Sequence, residues 1–218
     1  DTTSPDIFVP SNIVAEATSL SGNMIELGEV TGYDAIGIAS ITEHPIRFFT
    51  LGETTIEWTV VDTSGNTASG IQTVTIVDTT APNIIAPSSI TMEAMSADSN
   101  IVVLGNPVYN DLVDVPSISN NAPDAFPLGE TIVTWTAVDA SGNYASATQT
   151  VTIIDTISPE LTIPEDIIIS AFALEKQVEI GEAQADDLAG SILTITNDAP
   201  NTFPLGDTVV TWNVSDDF

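Results

Sequence analysis

Between Thr55 and Val60 apolar and polar positions alternate: Ile56, Trp58 and Val60 fall on one side, Thr55, Glu57 and Thr59 on the other. A period of two is that of a β-strand with one face buried. The line is written again with Val133, Trp135 and Ala137 against Thr134 and Thr136, and a third time with Val210, Trp212 and Val214 against Thr211 and Asn213. Downstream of the first two copies, QTVTIV and QTVTII place Val74 and Ile76, then Val151 and Ile153, inward with threonines outward. A polar loop of Asp, Ser, Gly and Asn separates each tryptophan strand from the strand after it, which predicts a hairpin. Further β-rich pieces lie upstream: SITMEAM, NIVVLG and VPSISN, bounded by Pro, Gly and Asn. Helical periodicity is absent. About seven short strands per unit, with turn signals every 8 to 12 residues, predict an all-β chain of immunoglobulin-like β-sandwiches.

The pattern recurs as whole units. Trp58, Trp135 and Trp212 stand 77 residues apart, and so do Gly52, Gly129 and Gly206. The segments DTTSP at Asp1, DTTAP at Asp78 and DTISP at Asp155 keep the same interval. This marks a tandem array, with domains predicted at 1–77, 78–154 and 155–218. The third copy reaches Phe218 without the turn and closing strand of the other two, so its sandwich is expected to be incomplete. Residues beyond the segment would close it, or a strand donated by another chain. Pro5, Pro82 and Pro159 stiffen the entry to each unit and the connections are short, so the tandem sandwiches are expected to form a rod.

Composition narrows the partners. Against 31 acidic residues stand only Arg47 and Lys176, for a formal net charge of −29. Nucleic acid and anionic membrane are repelled by such a surface, while divalent cations are drawn to it. No apolar run is long enough to span a bilayer, so no direct membrane insertion is expected of this segment. The absence of cysteine removes a disulfide framework and a thiolate metal site, yet is compatible with an extracellular location.

The run Phe126-Pro-Leu-Gly-Glu-Thr131, the strand with Trp135, the turn Asp139-Ala-Ser-Gly-Asn143, the closing strand and Asp155-Thr-Ile-Ser-Pro159 together resemble the HYR (hyalin repeat) domain. That resemblance recurs along the whole chain. It implies an immunoglobulin-like module of extracellular proteins with an adhesive or structural role and no chemistry of its own. Animal members usually carry a cysteine pair, absent here, so the chain looks more like prokaryotic versions in large cell-surface proteins. The expected function is a non-catalytic structural segment of a surface-layer, filament or matrix component. Its expected partners are further copies of itself or other cell-surface proteins. The alternatives are an adhesin stalk and an accessory module of a secreted enzyme.

Catalytic constellations are poorly supported. A serine triad needs a histidine base, and the single His44 occupies a loop position held by Asn121 and Asp198 in the other units. Carboxylate pairs arise by chance among so many acids. The tryptophans share one inward position, which suits core packing better than a carbohydrate platform.

Calcium fits the donor set better, since it takes six to eight oxygen ligands from carboxylates, amide carbonyls and backbone, whereas zinc and copper would want His or Cys. In an immunoglobulin-like sandwich the turn before the last strand lies at the end where the chain enters. Asp62 and Asn66 are therefore expected to face Asp1, Asp139 and Asn143 to face Asp78, and Asp216 to face Asp155. A loop at the same end brings in Asp34, Asp111, Asp114, Asp186 and Asp187. The linkers and turns resemble those of calcium-rigidified bacterial immunoglobulin-like arrays. The competing reading is that Asp-x-x-Gly-Asn is an ordinary tight turn, the aspartate capping its own backbone. Asn213-Val-Ser215 is the one glycosylation sequon, and strand alternation points Asn213 outward.

Overall fold

A computed structural model describes residues 1–42, 48–170, 172–189 and 193–216. His44, and with it the question of a histidine base, lies outside the described residues. Every regular element among the described residues is a strand, as the alternating pattern predicts. The first sequence unit holds β1 (Asp6–Phe8), β2 (Ile13–Glu16), β3 (Asn23–Met24), β4 (Thr31–Tyr33), β5 (Ile38–Ile41), β6 (Phe48–Phe49), β7 (Gly52–Asp62) and β8 (Thr67–Val77). The second holds β9 (Asn83–Ile85), β10 (Ile90–Glu93), β11 (Val108–Asn110), β12 (Ser117–Asn120), β13 (Gly129–Val138) and β14 (Tyr144–Ile154). The third holds β15 (Glu160–Thr162), β16 (Glu175–Lys176), β17 (Gln184–Asp186), β18 (Thr194–Asn197), β19 (Phe203–Pro204) and β20 (Trp212–Ser215). The chain is built of tandem immunoglobulin-like β-sandwiches.

By packing, the described residues form two compact units. One comprises residues 1–85, 107–119 and 135–147; the other comprises 86–106, 120–134 and 148–218.

In the first unit a four-stranded sheet runs in the order β2-β8-β7-β5. The β7/β8 hairpin is antiparallel from Gly52↔Ile76 to Val61↔Thr67, while β2 lies parallel to β8 with Ile13 opposite Val74 and Glu16 opposite Val77. Shorter antiparallel pairs, β1 with β4 and β3 with β6, accompany it. The predicted inward face is the core: Ile56, Trp58, Val74 and Ile76 are buried together with Ala17, Phe49 and Val113. Trp58 donates its indole N–H to Gln72 Oε1 at 3.1 Å. Gln72 spends its own amide on the carbonyls of Ser11 and Leu27, both at 2.9 Å, so one buried side chain ties three segments.

In the second unit β10 lies parallel to β14, with Ile90 opposite Val151 and Glu93 opposite Ile154. Gln149 repeats the tie to Ser88 and Leu104 carbonyls at 2.9 Å. The NIVVLG piece is not a strand: among residues 100–105 only Asn100 bridges, to Phe126. Ile101 and Val103 face solvent, and Gly105 turns the chain with φ of 82°. In the last sequence unit Val210, Trp212 and Val214 keep their alternation but are half-buried, where Trp58 and Trp135 are each only 6% exposed. Asn213 is exposed, as the alternation predicts.

Candidate metal centres at the repeat junctions

In the first two repeats the cluster is assembled from three backbone motifs, each holding its aspartate in a defined pose, while in the third Asp216 follows β20 directly. In the hairpin turn, Asp62 Oδ1 accepts the Ser64 and Asn66 N–H groups at 2.8 Å, and Asn66 donates its side-chain amide to Asp62 Oδ2 at 2.7 Å. Gly65 permits this turn with φ of 89°. Asp139 and Asn143 repeat it, with bonds of 2.8 Å to Oδ1 and Oδ2. In the loop, Asp34, Asp111 and Asp187 each accept the N–H two residues on, from Ile36, Val113 and Ala189, at 2.8 Å. In the linker, Asp1, Asp78 and Asp155 likewise accept the N–H groups of Thr3, Thr80 and Ile157, at 3.0, 3.2 and 3.2 Å. Short side chains that cap their own backbone fold this way.

The geometry then brings the three motifs together. Carboxylate oxygens of Asp1, Asp34 and Asp62 lie within 4.8 Å of one another, and so do those of Asp155, Asp187 and Asp216. Asp186 stands apart, in β17 opposite Glu160. In the second repeat Asp78, Asp111 and Asp139 form no such triad among the described residues. Asp78 Oδ2 accepts the Ser141 hydroxyl at 3.2 Å, and Asn143 donates to the Asp78 carbonyl at 3.1 Å, as Asn66 does to Asp1 at 3.3 Å. Asp111 also accepts Asp114 N–H at 3.2 Å, and Asp114 Oδ2 accepts Ala140 N–H at 2.8 Å. Asp114 Oδ1 is buried with no hydrogen-bond partner. An orphaned anionic oxygen of this kind fits a cation, because a buried acceptor left unsatisfied is costly.

Burial opposes ionisation of Asp62 and Asp139, but the donors around them prevail and hold both carboxyls below the usual range. For Asp62 these are the Asn66 amide and the N–H groups of Asn66, Ser64 and Gly65. Both groups are therefore anionic at neutral pH. Carboxylate oxygens have lone pairs left after accepting one N–H, so turn-capping and cation ligation are compatible roles for the same aspartates. Asn66 and Asn143 point their amide N–H groups at the aspartates and so act as struts.

Two junction features had no counterpart in the sequence reading. Glu16, at the end of β2, accepts Thr79 N–H and Thr80 Oγ1 on Oε1, both at 2.8 Å, and Thr79 Oγ1 on Oε2 at 2.9 Å. Glu93 repeats this on Thr156, at 2.7 and 2.9 Å. The 77-residue spacing of the two glutamates was the available signal. Secondly, Val113 from the second repeat's loop is 4% exposed and belongs to the buried cluster containing Ala17 of the first. The corresponding Ala189 is 2% exposed, whereas Ile36, in the first repeat, is 62% exposed. An apolar residue two places after a loop aspartate, inside a polar segment, was the signal there.

Residues 1–76 and 77–153 each match the HYR domain family. The chain is 34% identical to Hyalin of Lytechinus variegatus, covering 99% of this chain and 44% of that protein. It is equally identical to Hyalin of Strongylocentrotus purpuratus, covering 20% of that one. The chain thus spans less than half the length of these curated relatives. Among solved structures, four extracellular cadherin domains of protocadherin gamma B7 align over 98% of this chain and 68% of theirs, at 11% identity and a TM-score of 0.38. Domains 22–24 of mouse cadherin-23 align over 98% and 88%, at 11% identity and a TM-score of 0.36. On the family match and the relatives' identity over its full length, the chain belongs to the HYR domain family.

Proposed function

We propose that the chain is a non-catalytic structural segment of an extracellular, cell-surface protein, divided at 77/78 and 154/155, whose junctions are stiffened by calcium. Membership of the HYR family supports the extracellular, structural part. The observation that carries the calcium part is the repeated triad, Asp1, Asp34 and Asp62 and again Asp155, Asp187 and Asp216, each with oxygens within 4.8 Å. Like charges held that close repel, and a divalent cation reverses the sign of the interaction. Oxygen-only donors of this charge select a hard cation. Asp78, Asp111, Asp114 and Asp139 would hold a third ion, to which Asp114 Oδ1 is the free ligand. Within this reading a surface-layer, filament or matrix component comes first, with further copies or other surface proteins as partners.

Calorimetric titration of the chelator-stripped chain with calcium is the direct test. Saturable binding with a rise in melting temperature is expected. No heat and no change in melting at millimolar calcium would leave the aspartates as turn formers on an acidic surface.

A further inference from the structure

The first strand of the main sheet and its last strand lie side by side and parallel: β2 with β8 in one repeat, β10 with β14 in the next. That arrangement has a mechanical consequence. The chain enters β2 at its N-terminal end and leaves β8 at its C-terminal end, which in a parallel pair are opposite ends. Tension along the chain therefore drags the two strands past one another. The slanted, evenly spaced hydrogen bonds between them are loaded together and must fail together. Were the strands antiparallel, entry and exit would fall at the same end, and the bonds would open one at a time.

The ladder continues past the strands. Ala17 donates its N–H to the Val77 carbonyl at 2.7 Å, and Ala94 to Ile154 at 2.7 Å. Beyond these come the three bonds from Glu16 to Thr79 and Thr80, and the pair from Glu93 to Thr156. They join the end of the entering strand to the linker leaving the sheet, in line with the same pull. Bonds to a charged acceptor are the stronger kind.

We infer that each of the first two repeats is a tension-bearing element whose force-resisting unit is the parallel pair formed by the first and last strands of its main sheet, extended into the linker by Glu16 or Glu93. This deepens the structural reading of the chain, and a force measurement made in chelator succeeds or fails independently of the cation sites.

The chain has no native cysteine, so introduced ones are unique handles. Asn12 and Thr73 lie at the same end of the β2–β8 pair, where Asn12 Oδ1 accepts Thr73 N–H at 2.9 Å. The Asn12→Cys, Thr73→Cys chain is pulled in two ways in chelator at one loading rate: through the two cysteines, which peels β2 from β8, and through its ends with the cysteines capped, which shears them. Forced rupture reports the unfolding barrier along the pulled direction. End-pulling is expected to need a several-fold higher force, and Glu16→Ala, at an exposed position, is expected to lower the end-pulling force of the first repeat. Equal forces in the two geometries would overturn the shear assignment. An unchanged end-pulling force in Glu16→Ala would remove the glutamate from the load path.

Discussion

Trp58 and Gln72 are joined by a buried hydrogen bond, indole N–H to amide oxygen at 3.1 Å, across the β7/β8 hairpin. The same amide then satisfies the carbonyls of Ser11 and Leu27, so three segments depend on one side chain. Gln72→Leu keeps the volume and removes every bond. Each buried polar group left unpaired costs about 1 to 3 kcal/mol. A loss of about 3 kcal/mol in the urea unfolding of the first repeat is expected, and a loss below about 0.5 kcal/mol would mean that water replaces the glutamine.

Trp135 fills the same position in the second repeat and is 6% exposed. Trp135→Ala is expected to cost about 3 to 5 kcal/mol, because truncating a buried aromatic leaves a cavity. Denaturant melts followed by the fluorescence of the remaining tryptophans measure it, and a near-neutral result would return the residue to a surface role.

The sandwich was legible because its signal is local: alternation in β7 and β13 placed Ile56, Trp58, Val133 and Trp135 inside, where they are. The linker and turn aspartates were legible for a related reason, since Asp-x-x-Gly-Asn and Asp-Thr-x-x-Pro constrain the backbone that carries them. Glu16 was not. It is one acid among 31, and its partner Thr79 lies 63 residues away, so nothing local separates it from a solvated charge. Asp186 and Asp187 show the limit of reading a loop by composition: one falls inside β17, and its neighbour just beyond it turns into the triad. NIVVLG fails differently. Its apolar run suggests a strand, but Ile101 and Val103 face solvent with no partner strand in register among the described residues, and Asn100 anchors the segment through side-chain bonds to Ser96 and Phe126 carbonyls.

Val113 tests the junction through packing and without charge. Its burial in the cluster with Ala17 is the apolar contact between the second repeat's loop and the first repeat's core. Val113→Asp would bury an unpaired carboxylate there. The two repeats are expected to melt less cooperatively, with a loss of about 2 kcal/mol or more, whereas Ile36→Asp, at the exposed equivalent, is expected to be neutral within about 0.5 kcal/mol. Comparable effects at both sites would show that the loop position itself, and not the contact, is sensitive.

Acid should release the turn in a defined window. The Asp62 carboxyl titrates below the usual aspartate value of 3.8, since its hydrogen-bond donors outweigh the opposing effect of burial. A depressed folded-state value means that the contribution is fully present above the unfolded value and is lost as pH falls through the folded one. In calcium-free buffer the melting-temperature gap between the native chain and Asp62→Asn should stay constant from neutral pH to about 4.5 and shrink below 3.8. A gap that closes nearer neutrality would show a raised value and contradict the geometry.

The cation sites give the sharpest prediction, because one substitution separates the two roles an aspartate plays there. Asparagine at position 34 or 187 keeps an oxygen to accept the N–H two residues on, so the loop retains its turn, while the triad loses one charge. A purely structural aspartate would tolerate that change. A ligand would not, since calcium affinity depends on the number of charged oxygens. Asp34→Asn is therefore expected to abolish calcium binding at the first triad and, because it also removes one of three repelling charges, to leave the melting temperature in chelator unchanged or raised, never lowered. Asp187→Asn should do the same at the last, and Asp114→Asn should weaken the middle site by removing the buried orphan oxygen. Asp124→Asn, at an exposed position outside all three, is the control and should bind as the native chain does. Calorimetric stoichiometry reads the result: a stepwise loss of sites across the variants is the expected outcome. Identical titrations for all four would mean that any calcium held by the chain is held by its diffuse charge of −29 and not by the junctions.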